Sequence, residues 1–222
     1  MPLLLLVRHG QASFGSANYD VLSALGRSQA EATAAALAAA GLEVTRVISG
    51  SLRRQRDTAE AIADAYGFSP TVDEGWNEYD ADPVLEHHSS SAQRLERPEG
   101  PAATPTSPRE FQAVLERALE AWVRAGEQSP TPETWPAFNA RINDALQTAG
   151  SAGAGATVIV TSGGVIGALA VSLIGVDPIS FPRLNRVTIN CGVTRVIIGS
   201  SGTTLVSFNE QGHLSGGSLT YR

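Results

Sequence analysis

Three short polar segments follow strand-like runs in this chain, and their residue types suit the capture of an anion. Arg8-His9-Gly10 follows apolar residues 3–7, Arg53-Arg54 follows a second run at 44–49, and Ser162-Gly163-Gly164 follows Thr157-Val158-Ile159-Val160-Thr161. A guanidinium clamps phosphate or carboxylate through two parallel hydrogen bonds. A glycine-opened helix N-terminus presents backbone amides that favour negative charge. Imidazole adds a nucleophile or proton carrier that works near neutrality. Brought together, these groups would make a phosphate pocket.

Meeting requires a scaffold that gathers strand ends. Residues 3–7 are apolar without alternation, as expected of a strand buried on both faces of a mainly parallel sheet. Ser23 can cap a helix running to Ala40 and stopped by Gly41, followed by a strand at 44–49 and a helix at 52–66. Residues 73–88 read as an irregular acidic stretch, and 89–108, rich in Ser, Pro and Ala, as an exposed loop. Helices are then expected from Pro108 through Trp122 and from Pro132 through Leu146. A strand at 157–161, an apolar helix to Leu173, and β-rich segments around 187–198 and 203–208 complete the pattern. Alternating strands and helices predict an α/β fold, a three-layer α/β/α sandwich with one mostly parallel sheet. A single domain over 1–222 is expected, with a helical and loop cap inserted at about 73–135. Ligands of such sheets sit beyond the carboxyl ends of the strands, where the three polar segments lie.

Composition narrows the chemistry. All sixteen basic residues counted as Lys plus Arg are Arg, which removes Schiff-base and P-loop-lysine mechanisms. A net charge of −6 without a basic stripe argues against nucleic acid. Cys191 is alone, so no intrachain disulfide is expected. The apolar residues near the N-terminus are too few for a signal region or a membrane span, and a cytoplasmic location is expected.

The segment Leu6-Val7-Arg8-His9-Gly10-Gln11-Ala12-Ser13, with Leu22 to Ala30 after it, resembles the opening of the histidine phosphatase superfamily, also called phosphoglycerate mutase-like. Leu52-Arg53-Arg54 with Thr58-Ala59 resembles that family's second arginine motif. Trp76-Asn77-Glu78-Tyr79-Asp80 takes the place of its acidic motif, and residues 160–166 that of its second-histidine motif. Phe208-Asn209-Glu210 with His213-Leu214 also fits, so the resemblance spans nearly the whole chain. It implies a phosphomonoester hydrolase that needs no cofactor or metal and acts on a small-molecule phosphoester. His9 would be the nucleophile, Arg8 and Arg54 would hold the phosphoryl oxygens, and Glu78 would be the general acid and base. Ser162 stands where the family usually has its second histidine, which removes one cationic donor; Ser162 and Gly163 would then bind the phosphate themselves.

Several residues carry two readings. Gln11 and Ser13 either touch substrate or shape the loop after His9. His87 and His88 read as surface residues, His213 as an anchor of the C-terminal segment, and Trp76, Trp122 and Trp135 as core or loop anchors. Two alternatives to the phosphatase are a mutase-type phosphoryl transferase and a weakened phospholigand-binding protein. A serine hydrolase built on Ser162 fits poorly, because Val160 stands where a nucleophile elbow needs glycine. A homodimer is compatible with the aromatic residues of the cap helices.

Overall fold

Four consecutive leucines and a valine need apolar surroundings on two sides, and a central strand between helix layers supplies both. In the computed structural model, which describes residues 1–13, 20–94, 108–151, 153 and 155–221, the strands β1 (Leu3–Arg8), β2 (Val44–Ser49), β3 (Thr71–Val72), β4 (Ala156–Thr161), β5 (Val193–Gly199) and β6 (Gly202–Glu210) form one sheet in the order β3-β2-β4-β1-β5-β6. The first four are mutually parallel where they pair, and β5 and β6 run antiparallel at the other edge. Leu4 and Leu6 enter a core with Trp76, Trp122, Phe138, Ile159 and Ile166. Leu5 and Val7 enter the opposite core with Ala34, Leu37, Ala59, Ile62 and Val158. The two-residue period of the strand thus splits one apolar run between two layers.

Helices α1 (Ala24–Ala39) and α2 (Arg53–Asp64) cover the second core, and α5 (Trp135–Gly150) and α6 (Gly163–Ile174) cover the first. The first core also takes in α3 (Ala81–Arg94), α4 (Pro108–Ala125) and α7 (Phe181–Val187). The α/β/α sandwich and its mostly parallel sheet are as the sequence predicts. Ser23 caps α1, accepting from the Gly26 amide, and Gly41 beyond its end takes a left-handed φ of 65°.

Three local expectations differ. Residues 81–94, expected as acidic stretch and loop, are helix α3: Pro83 falls within its first turn, where its missing N–H costs nothing, and Val84 enters the core. The remainder of the expected loop, 95–107, lies outside the described residues. α5 starts at Trp135, not Pro132, because Thr134 is its N-cap, accepting from the Ala137 amide. Residues 187–192 belong to the end of α7 and a turn, and β5 begins only at Val193. Helix α7 itself, seven residues long, gives too short an apolar period to be read.

Aromatic rings tie Tyr79 and Trp122 of α4 to α5 and α7. Tyr79 lies 5.5 Å from Trp122 and 5.9 Å from Phe138, and Trp135 lies 4.7 Å from Phe181, between ring centroids. All three tryptophans are buried, as core anchors should be. His88 corrects the surface reading: it is buried, and its Nε2 pairs with Ser129 Oγ at 2.8 Å, one link in a chain through Thr131 to the Trp122 indole. His87 is exposed.

Candidate active site

Strand register levels the three tips. Arg8 on β1 pairs with Thr161 on β4, and Ser49 on β2 pairs with Val160. The ladder continues one step past the strands: the His9 amide donates to Thr161 O at 2.9 Å and the Gly50 amide to Val160 O at 3.2 Å. The polar residues that follow each strand therefore emerge side by side at the carboxyl edge of the sheet.

His9 is buried, 4% exposed, with both ring nitrogens committed. Nδ1 lies 2.8 Å from Gly10 O, and Arg54 Nε donates to Nε2 at 3.1 Å. A guanidinium can only donate, so Nε2 is the acceptor and Nδ1 carries the proton. Burial, then the charges of Arg54 and Arg8, hold the imidazole well below its ordinary 6.5, against the opposing pull of the Gly10 carbonyl. The ring is neutral at pH 7, with its lone pair on Nε2. Asn190 steadies the backbone here, its Nδ2 donating to His9 O at 3.0 Å.

Each arginine is held from behind. Arg54 Nη1 pairs with Asp20 Oδ1 at 2.7 Å, and the same carboxylate accepts from the Arg53 amide at 2.8 Å at the start of α2. Arg8 Nη1 donates to Tyr221 O at 2.8 Å and to Thr188 O. Arg53 and Arg56, the neighbours that spacing leaves in competition with Arg54, point to solvent.

Glu78 is the acid of its segment that reaches the pocket. Its Oε2 accepts from the Gly164 amide at 3.0 Å, in the first turn of α6, and its Oε1 from its neighbour Tyr79 N at 3.2 Å. Burial raises its carboxyl above the ordinary 4.5, opposed by the Gly164 amide, Arg54, Arg8 and the Tyr79 amide. Glu74, Asp80 and Asp82 are exposed. Trp76 and Asn77 fix the segment: Trp76 O accepts from Thr161 Oγ1 at 2.7 Å, and Asn77 Oδ1 accepts from the Ser51 amide at 2.7 Å.

Ser162 lies at the N-terminus of α6 but does not cap it; its Oγ accepts from Gln55 Nε2 at 2.9 Å. A Cβ on Gly163 would lie 2.9 Å from Asn185 Oδ1 and 3.5 Å from Arg8 Nε, which places Gly163 against the first arginine. Gln11 is tied to the loop, its amide to Gln29 Oε1 at 2.8 Å and its Oε1 to Ser23 Oγ at 2.8 Å. The Ser13 amide donates to Val21 O at 2.7 Å, next to the Ala12–Leu22 bridge. Both contacts do what loop shaping requires. His213 Nε2 lies 3.0 Å from Cys191 O and 3.0 Å from Thr33 Oγ1, an anchor as expected. Burial pushes the Cys191 thiol up to about 12, so it offers no thiolate nucleophile.

Asp20, Gln55, Asn185 and Asn190 are the members of this arrangement that sequence reasoning missed. Only Gln55 leaves a sequence signal: three residues after the N-cap Leu52, its Oε1 accepts from the Leu52 amide at 3.2 Å, half of a capping box. Beside Glu78, a cavity of about 430 Å³ is lined by Asn77, Tyr79, Asp80, Trp122, Glu133 and Arg141 among others. Among the described residues, no three His, Cys, Asp or Glu side chains are grouped to hold a metal ion, and no helix is long and apolar enough to cross a membrane.

A family model for the histidine phosphatase superfamily, branch 1, matches residues 4–211. The chain belongs to that superfamily. Among solved structures, Bacillus stearothermophilus YhfR is similar at a TM-score of 0.69 and 18% identity, covering 97% of this chain and 100% of that one. A mycobacterial glucosyl-3-phosphoglycerate phosphatase, in complex with VO3, gives 0.64 and 22%, covering 94% and 99%. Phosphoserine phosphatase from Entamoeba histolytica, in complex with 3-phosphoglyceric acid, gives 0.63 and 20%, covering 97% and 100%. No curated protein matches significantly. The superfamily match joins the four motifs in one chain, and the structural likeness is one of fold.

Proposed function

We propose that this histidine phosphatase superfamily member is a cofactor-independent phosphomonoesterase that works through a phosphohistidine at His9. The observation that carries the reading is the neutral, tautomer-locked His9, whose Nε2 accepts from Arg54 Nε at 3.1 Å. It is a nucleophile already desolvated, with a cation at its reacting atom.

In the first step, Nε2 attacks phosphorus and the phosphorus–oxygen bond to the leaving alcohol breaks. Arg8 and Arg54 take up the charge that spreads over the equatorial oxygens, with the Gly163 and Gly164 end of α6 and the Ser162 hydroxyl beside them. Glu78, its carboxyl raised by burial, gives its proton to the leaving oxygen. In the second step, Glu78 takes a proton from water, the hydroxide oxygen bonds to phosphorus, and the nitrogen–phosphorus bond breaks. Neutral His9, protonated Glu78 and inorganic phosphate result, with no net change in the enzyme.

The 430 Å³ cavity beside Glu78 supports a small-molecule leaving group. The solved phosphatases of the same fold support hydrolysis over mutase chemistry. A cytoplasmic location and a homodimer belong to the same proposal, and the chemistry depends on neither. The test is hydrolysis of para-nitrophenyl phosphate in the presence of a metal chelator across pH 4–8. Wild type should turn over and yield acid-labile phosphate on His9, and His9→Ala should abolish both. A His9→Ala rate equal to wild type would overturn the reading. Phosphate-dependent thermal stabilisation without turnover would replace it with a binding protein.

A further inference from the structure

Gln55 has no part in the chemistry above, yet it is fully buried at the site and each of its polar atoms is spoken for. Oε1 accepts from the Leu52 amide at 3.2 Å, while Nε2 donates to Trp76 O at 3.3 Å and to Ser162 Oγ at 2.9 Å. A backbone amide can only donate and a carbonyl only accept, so the carboxamide cannot flip. The surroundings make room for it: a Cβ on Gly50 would fall 2.1 Å from Gln55 Oε1. Ser162 is therefore obliged to act as acceptor toward Gln55.

That obligation decides where the Ser162 proton goes. Ser162 is 1% exposed, and among the described residues its Oγ makes the one bond to Gln55, as acceptor. Capping of α6, the ordinary task of a serine at this position, is done by Glu78 through the Gly164 amide. The hydroxyl hydrogen is left to point away from Gln55. The chain neighbours of Ser162 on both sides border the pocket: a Cβ on Gly163 would lie 3.5 Å from Arg8 Nε, and Thr161 O accepts from the His9 amide at 2.9 Å.

We propose that Gln55 is a positioning residue that holds Ser162 as a hydrogen-bond donor to the phosphoryl oxygens, in place of the cationic donor expected at this position. The proposal rests on the phosphatase reading. A neutral hydroxyl pre-aimed by a fixed amide costs no reorganisation as charge develops on the phosphoryl group.

The test compares wild type, Gln55→Glu, the near-isosteric Gln55→Met, Ser162→Ala and both double variants. Vanadate affinity, kcat and KM on a phosphomonoester, and thermal stability are measured for each. Ser162→Ala should lose about 100-fold in kcat and in vanadate affinity. Gln55→Glu turns the donor into an acceptor, draws the Ser162 proton toward itself and should approach the same loss near pH 7. Below the pKa of the new carboxyl the donor returns, and the deficit should shrink. In the Ser162→Ala background, neither Gln55 variant should cost a further factor of three. Equal losses in both backgrounds, or wild-type vanadate affinity in Gln55→Glu, would overturn the proposal. Should Gln55→Glu not fold, Gln55→Met must show a loss that vanishes with Ser162→Ala, and its absence would overturn the proposal equally. Failure of the phosphatase reading looks different: no His9-dependent turnover in wild type, with vanadate affinity still reporting on Gln55.

Discussion

Gly164→Ala would test whether the Glu78 carboxylate must stay where the α6 amide holds it. An ideal Cβ at this position would lie 2.1 Å from Glu78 Oε1, and 2.5 and 2.8 Å from two atoms of the Tyr79 ring. Ordinary contact begins near 3.4 Å, so the carboxylate must retreat by more than about 1 Å. Tyr79 has little room to yield, packed against Trp122, Phe138 and Phe181. Overpacking of this kind costs about 1–3 kcal/mol. For a chain of this length that lowers Tm by roughly 2–12 °C. A misplacement of about 1 Å costs on the order of 100-fold in rate, within the range for a lost general acid. The assay is a leaving-group series. Alkyl phosphates, whose departing oxygen needs a proton, should lose about 100-fold in kcat. Aryl phosphates with acidic phenols should lose far less in the phosphorylation step. Vanadate should still bind, since Arg8 and Arg54 are untouched. In a Glu78→Gln background the substitution should cost no further rate. A folded Gly164→Ala variant with wild-type kcat on alkyl phosphates would refute the reasoning.

Further outcomes follow from the same geometry. Turnover requires His9 neutral and Glu78 protonated. Burial lowers the first and raises the second, so kcat/KM should rise with pH through the His9 value and fall as pH rises through the Glu78 value. A pH–rate profile of Glu78→Gln should lack that alkaline fall; an unchanged fall would remove Glu78 from the acid role. Asp20→Ala releases Arg54 and uncaps α2, and should lower kcat/KM about tenfold and stability by about 1 kcal/mol, read by steady-state kinetics and urea melts. Loss of stability alone would reduce Asp20 to a cap. Ser162→His should not accelerate the enzyme, because Gln55 Nε2 occupies space 2.9 Å from Ser162 Oγ. Gain of rate in the single variant, rather than only when Gln55→Ala accompanies it, would contradict the packing.

The sandwich was legible because Leu3 to Val7 of β1 is an unbroken apolar run and β2 and β4 are short runs rich in β-branched residues, each followed by turn residues, and because Ser23 and Gly41 mark the ends of α1 by their backbone chemistry. The catalytic candidates His9, Arg54 and Glu78 were legible through motif order. Their supports were not. Asp20 and Asn190 act by accepting from or donating to backbone and side-chain atoms far away in the chain, which leaves no period in the sequence. His88 looked like a surface residue because its partners, Ser129 and Thr131, sit in a proline-rich turn that carries no hydrophobic signal. Helix α3 was hidden by an acidic start and few apolar residues, although Val84 enters the core and Ala81 and Leu85 pack against it.

The strand order also sets a timetable for making the protein. β1 is the first strand described, yet its neighbours are β4 and β5, so Leu3 waits for Ala156 on one side and Ile197 on the other. At about 5–20 residues per second, a growing chain would carry Leu3 to Val7 without strand partners for roughly 8–30 s. Five apolar residues with unpaired backbone groups are a template for intermolecular strand pairing. His9 sits directly behind them, and Arg8 reaches its bond to Tyr221 O across 213 positions of sequence. The same connectivity that gives the nucleophile its rigid central strand therefore exposes that strand for most of synthesis. Recombinant yield should depend on translation rate, temperature and chaperone supply more than the stability of the finished fold would suggest.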